Sequence, residues 1–241
     1  MWRHAGFVAL IWIILTAALE ILALNINIFP VAASEEAILI DESFQLLLLM
    51  AIPVFTFVIV FLGYSLLVFR GTGEIKHNPA RQGLNRVAVA WLIVTSVLAV
   101  FVIFNPGFVG MNKLESNNTY DLEMKVEAVQ WHWNFSFPEY GVTLNNAREI
   151  RLPVGRRVRV ELTSQDVIHS FWVPAFRLKQ DAVPGRVATL YFTPNRTGSY
   201  NEDFNYRVQC AELCGTGHDG MRTPLAVVQP DEFEEWIAGL R

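Results

Sequence analysis

Near the C-terminus the chain reads Cys210, Ala211, Glu212, Leu213, Cys214, Gly215, Thr216, Gly217, His218, Asp219, Gly220, Met221, so two thiols, an imidazole and a thioether fall within twelve residues. Soft sulfur combined with imidazole favours copper over the hard cations, which prefer oxygen. Gly215, Gly217 and Gly220 let such a loop fold tightly enough to turn several side chains toward one point. A single blue-copper centre uses one thiolate, two histidines and a weak axial methionine, so the second cysteine is a thiolate too many for it. Two thiolates can instead bridge two copper ions that share one unpaired electron, which suits fast electron transfer. Two other readings of the same residues stay open: a short-loop disulfide, and a structural zinc site of two cysteines and two histidines. The zinc reading leaves Met221 without a purpose.

The elements that must position this loop fall into two classes. With 52% hydrophobic residues the chain is too apolar for one ordinary water-soluble domain, yet its second half is polar. Phe44 to Phe69 carries no charge over roughly two dozen residues, enough at 1.5 Å per residue to cross a hydrocarbon core. A helix over about 43–70 follows, with Pro53 predicted to kink it. Val87 to Phe104 is a second uncharged run, and Asn105, Pro106 and Gly107 are expected to stop its helix, about 86–105. The connector holds Arg70, Lys76, Arg81 and Arg86 against Glu74, which predicts a cytoplasmic loop and puts everything after Asn105 on the outer face. At the N-terminus, Arg3, the apolar run Phe7 to Leu19 and then Val31, Ala32, Ala33 have the outline of a cleavable export signal. The apolar character continues past Glu20 to Phe29, however, and we read a retained third helix over about 5–29, with Glu20 facing protein or the interface. Ser34 to Ser43 is then an outer-face loop. The expected division is a membrane anchor over 1–108 and an outer domain over 109–241.

In that outer domain the period changes to two. Arg157 to Leu162 alternates apolar and polar residues, and Leu122 to Ala128, Thr189 to Thr193, Ser199 to Phe204 and Leu225 to Val228 are further predicted strands. Breaks at Pro153, Gly155, Pro184, Gly185, Pro194 and Gly198 suit a sandwich or barrel. A short helix from Asp231 to Leu240, acidic at its start, closes the chain. A net charge of −4 without a block of like charge gives no reason to expect a nucleic-acid partner.

The spacing Cys, three residues, Cys, three residues, His, two residues, Met resembles the binuclear copper A motif of cytochrome c oxidase subunit II. Asp166 to Pro174, which contains His169, and Lys179 to Arg186 continue the resemblance, which covers about residues 44 to 241. It implies a cupredoxin-like Greek-key β-sandwich behind a two-helix hairpin, in a plasma-membrane protein with its C-terminal domain on the periplasmic side. By resemblance Cys210 and Cys214 bridge the coppers, His169 and Met221 complete one, and His218 with the backbone carbonyl of Glu212 the other. The Glu212 carboxylate binds magnesium or manganese at the contact with subunit I, and Trp131, first tryptophan of Gln130, Trp131, His132, Trp133, receives electrons. The bland alternative packs both tryptophans into a sheet, and Trp133 is read as core. The implied function is transfer from a c-type cytochrome to haem in subunit I, which would reduce oxygen alongside the other oxidase subunits in the lipid membrane. Two departures stand out. The family commonly places glutamate shortly before the tryptophan matching Trp91, where Arg86 to Ala90 has none, and His132 replaces the usual aromatic. The acids Glu202 and Asp203 share the domain with Arg148, Arg151, Arg156, Arg157 and Arg159, so no dominant negative field is implied.

Rival assignments separate by observation. The copper A subunit of a nitric oxide reductase differs by its partner. A copper-handling or assembly protein would expose its thiols and release metal readily. A structural membrane protein with a stapled outer domain would hold no metal.

Overall fold

A computed structural model describes residues 2–70, 86–115 and 118–241. The connector residues Glu74, Lys76 and Arg81, on which the cytoplasmic-loop expectation rests, lie outside the described residues. Two compact units emerge, one of Met1–Ile28 and Glu42–Lys113, the other of Phe29–Asp41 and Leu114–Arg241.

The first unit is helical. Helices α1 (Trp2–Asn25), α2 (Glu35–Val68) and α3 (Arg86–Val102) carry long apolar runs, and among the described residues three helical stretches are long and apolar enough to cross a membrane. Polar side chains join α1 to α2 inside this apolar surface: Trp12 Nε1 donates to the Pro53 carbonyl at 2.9 Å and the hydroxyls of Thr16 and Thr56 meet at 2.7 Å. The expected stop at Asn105 to Gly107 is a kink instead. Asn105 is forced extended (φ −138°, ψ 110°) by the proline that follows, which breaks the helix within Ile103–Phe108, and helix resumes as α4 (Val109–Glu115).

Helix α2 also begins earlier than expected, and Ser34 to Ser43 is no loop. Ser34, fully buried, accepts the Ala37 N–H on its hydroxyl at 3.0 Å, and Glu35 and Glu36 favour the positive helix start. The segment 29–41 packs into the β unit. Arg177 forks onto both oxygens of Asp41 at 2.8 Å and also donates to the carbonyls of Pro30 and Pro174, while Arg157 pairs with Glu36 at 3.0 Å.

The β unit contains β1 (Leu122–Val129), β2 (His132–Phe137), β3 (Val142–Leu144), β4 (Ile150–Pro153), β5 (Val158–Ser164), β6 (His169–Val173), β7 (Leu178–Ala182), β8 (Ala188–Phe192), β9 (Gly198–Ser199), β10 (Arg207–Cys210) and β11 (Arg222–Val228), closed by helix α5 (Pro230–Ala238). One sheet runs β3-β2-β1-β5-β8; the other runs β4-β11-β10-β6-β7, with β9 beside β11. Strand β1 lies parallel to β5 with Leu122, Met124 and Val126 opposite Val158, Val160 and Leu162, so the alternation read from sequence becomes two buried rows. Trp133, Phe135 and Phe137 of β2 meet Phe171, Val173, Val208 and Leu225 of the second sheet in the core. Adjacency of strands distant in sequence, parallel at β1–β5 and β4–β11, makes a cupredoxin-like Greek-key sandwich. Ser199 to Phe204, expected as a strand, pairs with β11 only at its start, at Ser199 and through the Tyr200 N–H to the Leu225 carbonyl at 3.1 Å. The Glu202 carboxylate takes the Ser199 N–H at 2.9 Å, and the Glu202 and Asp203 amides return to the Ser199 carbonyl, closing a turn.

Candidate metal centre

Three strand ends of the second sheet bring the sulfur loop and His169 together. Strand β6 opens on His169, β10 ends on Cys210, and β11 starts directly after Met221. Cys210 pairs with Phe171, its N–H reaches the Met221 carbonyl at 3.0 Å, and the Ala211 N–H reaches Ser170 at 2.9 Å. Residues 41 positions apart thus share one end of one sheet because β6 and β10 are antiparallel neighbours. Between Cys210 and Met221 the chain closes on itself through Gly215, at a φ of +117° that suits glycine, and through a 3-10 turn at His218–Gly220.

Cys210 and Cys214 lie with their sulfurs 3.7 Å apart, far beyond the roughly 2.05 Å of a disulfide, and both thiols are free and buried. His169 Nδ1 is 3.8 Å from Cys210 Sγ; His218 Nδ1 is 3.6 Å and Met221 Sδ 3.8 Å from Cys214 Sγ. The Glu212 carbonyl approaches Cys210 Sγ at 3.2 Å. The ligand atoms of His169, Cys210 and Cys214 all lie within 4.8 Å of one another, a group that could hold a metal ion. Burial, followed by the neighbouring Cys210 thiol, pushes the Cys214 thiol up to about 12, so a metal entering here would have to displace the Cys214 proton.

The other sequence candidates surround this cluster. Trp131 sits in the turn between β1 and β2, 40% exposed, and its indole N–H donates to the Cys214 carbonyl at 3.1 Å. Its ring lies against the backbone of Gly215 and Gly217 so closely that a Cβ on Gly217 would stand 2.5 Å from Trp131 Cδ2. Trp133 is fully buried, edge-on to His169 and Phe171. The Glu212 side chain is exposed, and Leu213 beside it is 80% exposed.

Sequence reasoning gave no role to two neighbours, Asp166 and Gln130. Asp166 Oδ1 lies 2.8 Å from His169 Nε2, and Gln130 Nε2 donates to the Cys214 carbonyl at 2.8 Å. Partial burial alone would raise the Asp166 carboxyl; hydrogen bonds from the Gln130 N–H, His169 and the Val167 N–H outweigh it and hold the group at about 2. The Asp three residues before the histidine was the available signal.

Fold and cluster define a cupredoxin-like domain with a metal-competent group at one end, in a chain that also carries helices apolar enough for a membrane. The pattern of the family described as cytochrome c oxidase subunit II, periplasmic domain, matches residues 142–229. A cytochrome c oxidase subunit 2 of Thermostichus vulcanus is 37% identical over 199 residues, covering 77% of this chain and 57% of that protein. One from a Synechocystis strain is 28% identical, covering 89% of this chain and 76% of that one. The periplasmic domain of subunit II of the cytochrome oxidase of Bradyrhizobium japonicum is 32% identical over 51% of this chain and 94% of that one, with a TM-score of 0.46. The chain belongs to the cytochrome c oxidase subunit II family. It spans little more than half the length of the Thermostichus relative.

Proposed function

We propose that electrons from a c-type cytochrome pass through this chain to haem in subunit I of a respiratory cytochrome c oxidase, where oxygen is reduced. A bound copper A pair supplies a one-electron centre that changes shape little on reduction. Cys210, Cys214, His169, His218, Met221 and the Glu212 carbonyl would hold the pair, the two thiolates and two imidazoles supplying the soft donors that copper prefers. Trp131 is the port for arriving electrons, and the exposed Glu212 carboxylate holds magnesium or manganese toward subunit I. The N-terminal 108 residues anchor the chain by three spans in the plasma membrane, and residues 109–241 work on the periplasmic side.

What supports this reading is a pair of unbonded thiols 3.7 Å apart, flanked by two imidazoles, a thioether and a carbonyl. Those donors exceed the four that a tetrahedral zinc ion takes, so they suit two soft ions. Burial of both thiols argues against a carrier that must release its metal. The test is to purify the full chain in detergent, load copper, and record metal content with the electron spin resonance spectrum. Hyperfine structure from one electron shared by two equivalent coppers supports the assignment; a one-copper pattern, or zinc in its place, defeats it.

A further inference from the structure

The contacts around the cluster close into a ring. Starting at Cys210 Sγ, the next atoms are His169 Nδ1 at 3.8 Å, then Asp166 Oδ1 at 2.8 Å from His169 Nε2. Asp166 Oδ2 accepts the Gln130 N–H at 2.7 Å. The Gln130 side chain reaches the Cys214 carbonyl at 2.8 Å, and Cys214 Sγ returns to Cys210 at 3.7 Å. Trp131, next to Gln130, shares that carbonyl. We propose that Asp166 is a positioning residue: one carboxylate orients the His169 imidazole toward the metal and also pins the Gln130–Trp131 turn to the backbone of Cys214.

The physical reasons lie in what each oxygen does. An acceptor at Nε2 makes that nitrogen the N–H and leaves Nδ1, the atom beside Cys210, with its lone pair free for a metal. The ring cannot adjust by itself, since His169 is fully buried. Oδ2 meanwhile holds the turn that follows β1, which is otherwise tied to the 165–168 loop by the Gln165 N–H to the Ala128 carbonyl at 3.1 Å. Asp166 itself is held in shape by the Val167 N–H at 2.7 Å and by the Ser164 hydroxyl. An acid placed there only to attract a basic donor would face water with its oxygens unspent; these accept from the Gln130 turn and from Ser164, Val167 and the buried His169 imidazole of their own segment.

The inference rests on the copper assignment above, and the experiment separates the two. The full chain, its Asp166→Asn form and its Asp166→Glu form are loaded with copper in detergent, and chelator competition, spin resonance and redox titration are recorded for each. An amide offers one acceptor oxygen and turns an N–H toward Gln130 or His169. Asp166→Asn is therefore expected to keep a two-copper pattern with altered hyperfine splitting, a shifted potential and copper affinity lowered roughly 10–100-fold, the usual cost of losing such an outer partner. Asp166→Glu keeps the charge and both acceptors but sets them one methylene farther out, so it is expected to hold copper more tightly than Asp166→Asn while its hyperfine splitting and potential still differ from those of the wild-type chain. A wild-type spectrum and potential in Asp166→Asn, with only a lower melting temperature, overturns the proposal. Should Asp166→Asn fail to fold, Asp166→Glu decides, because an unchanged spectrum in that form overturns it equally. A wild-type chain without the two-copper pattern refutes the copper assignment instead.

Discussion

Met221 is buried and touches Cys214 through sulfur, so under the proposed copper assignment it would combine a weak ligand with an apolar volume of core. Met221→Leu keeps that volume, at a cost below about 1.5 kcal/mol of stability, but removes the thioether. Redox titration is expected to show a shifted potential while thermal melting barely moves; the reverse pattern would make Met221 mere filler. Gly217 is constrained by its neighbour, since its α-carbon faces the Trp131 ring with no room for a methyl. Gly217→Ala is expected to displace the indole and slow reduction by a c-type cytochrome roughly 10–100-fold, as misplaced reacting groups do. Stopped-flow measurement decides, and an unaltered rate removes Trp131 from the route.

Among the elements, the first turn of α2 shows how a few polar atoms join a helix start to a sandwich. Ser34 Oγ accepts the Ala37 N–H and donates to the Phe176 carbonyl at 3.3 Å, both out of water. Ser34→Ala leaves these groups unpaired and is expected to cost about 1–2 kcal/mol. Chemical denaturation would show it, with the copper spectrum untouched; a spectrum that changes would mean the cap acts on the site. Arg177 reinforces the same junction while itself occupying the left-handed region at φ +59°, a conformation its fork onto Asp41 and neighbouring carbonyls holds in place.

For the molecule as a whole, metal and folding are linked. The donors come from β6, β10 and the loop before β11, which the unfolded chain does not hold together. On the proposed copper assignment the ion would therefore bind the folded form preferentially, and free copper at 100 times its dissociation constant is expected to add about 2.7 kcal/mol. Melting curves with increasing copper should move steadily upward and return when a chelator is added. A melting temperature indifferent to both would mean that the thiols do not hold the ion.

Much of this was written in local sequence. Uncharged runs predicted the apolar helices because a lipid-facing helix needs no partner to declare its face, and period-two alternation predicted β1 and β5 because each buries every second side chain, while the apolar run Leu225 to Val228 marked β11, buried on both faces there. The four residues of the sulfur loop were legible because they sit within one turn-rich stretch. What lay between distant segments was not. The capped start of α2 needed Ser34 buried under Phe176, the kink at Asn105 needed helix on its far side, and the turn at Ser199 needed side chains folded back on their own backbone. His169 could be nominated by resemblance, but only antiparallel pairing of β6 with β10 puts it beside Cys210, and only that packing gives Asp166 and Gln130 their partners. Residue type and short spacing state which chemistry is available; the distance between side chains far apart in the chain is a property of the folded sheets, and that distance decides whether the chemistry can occur.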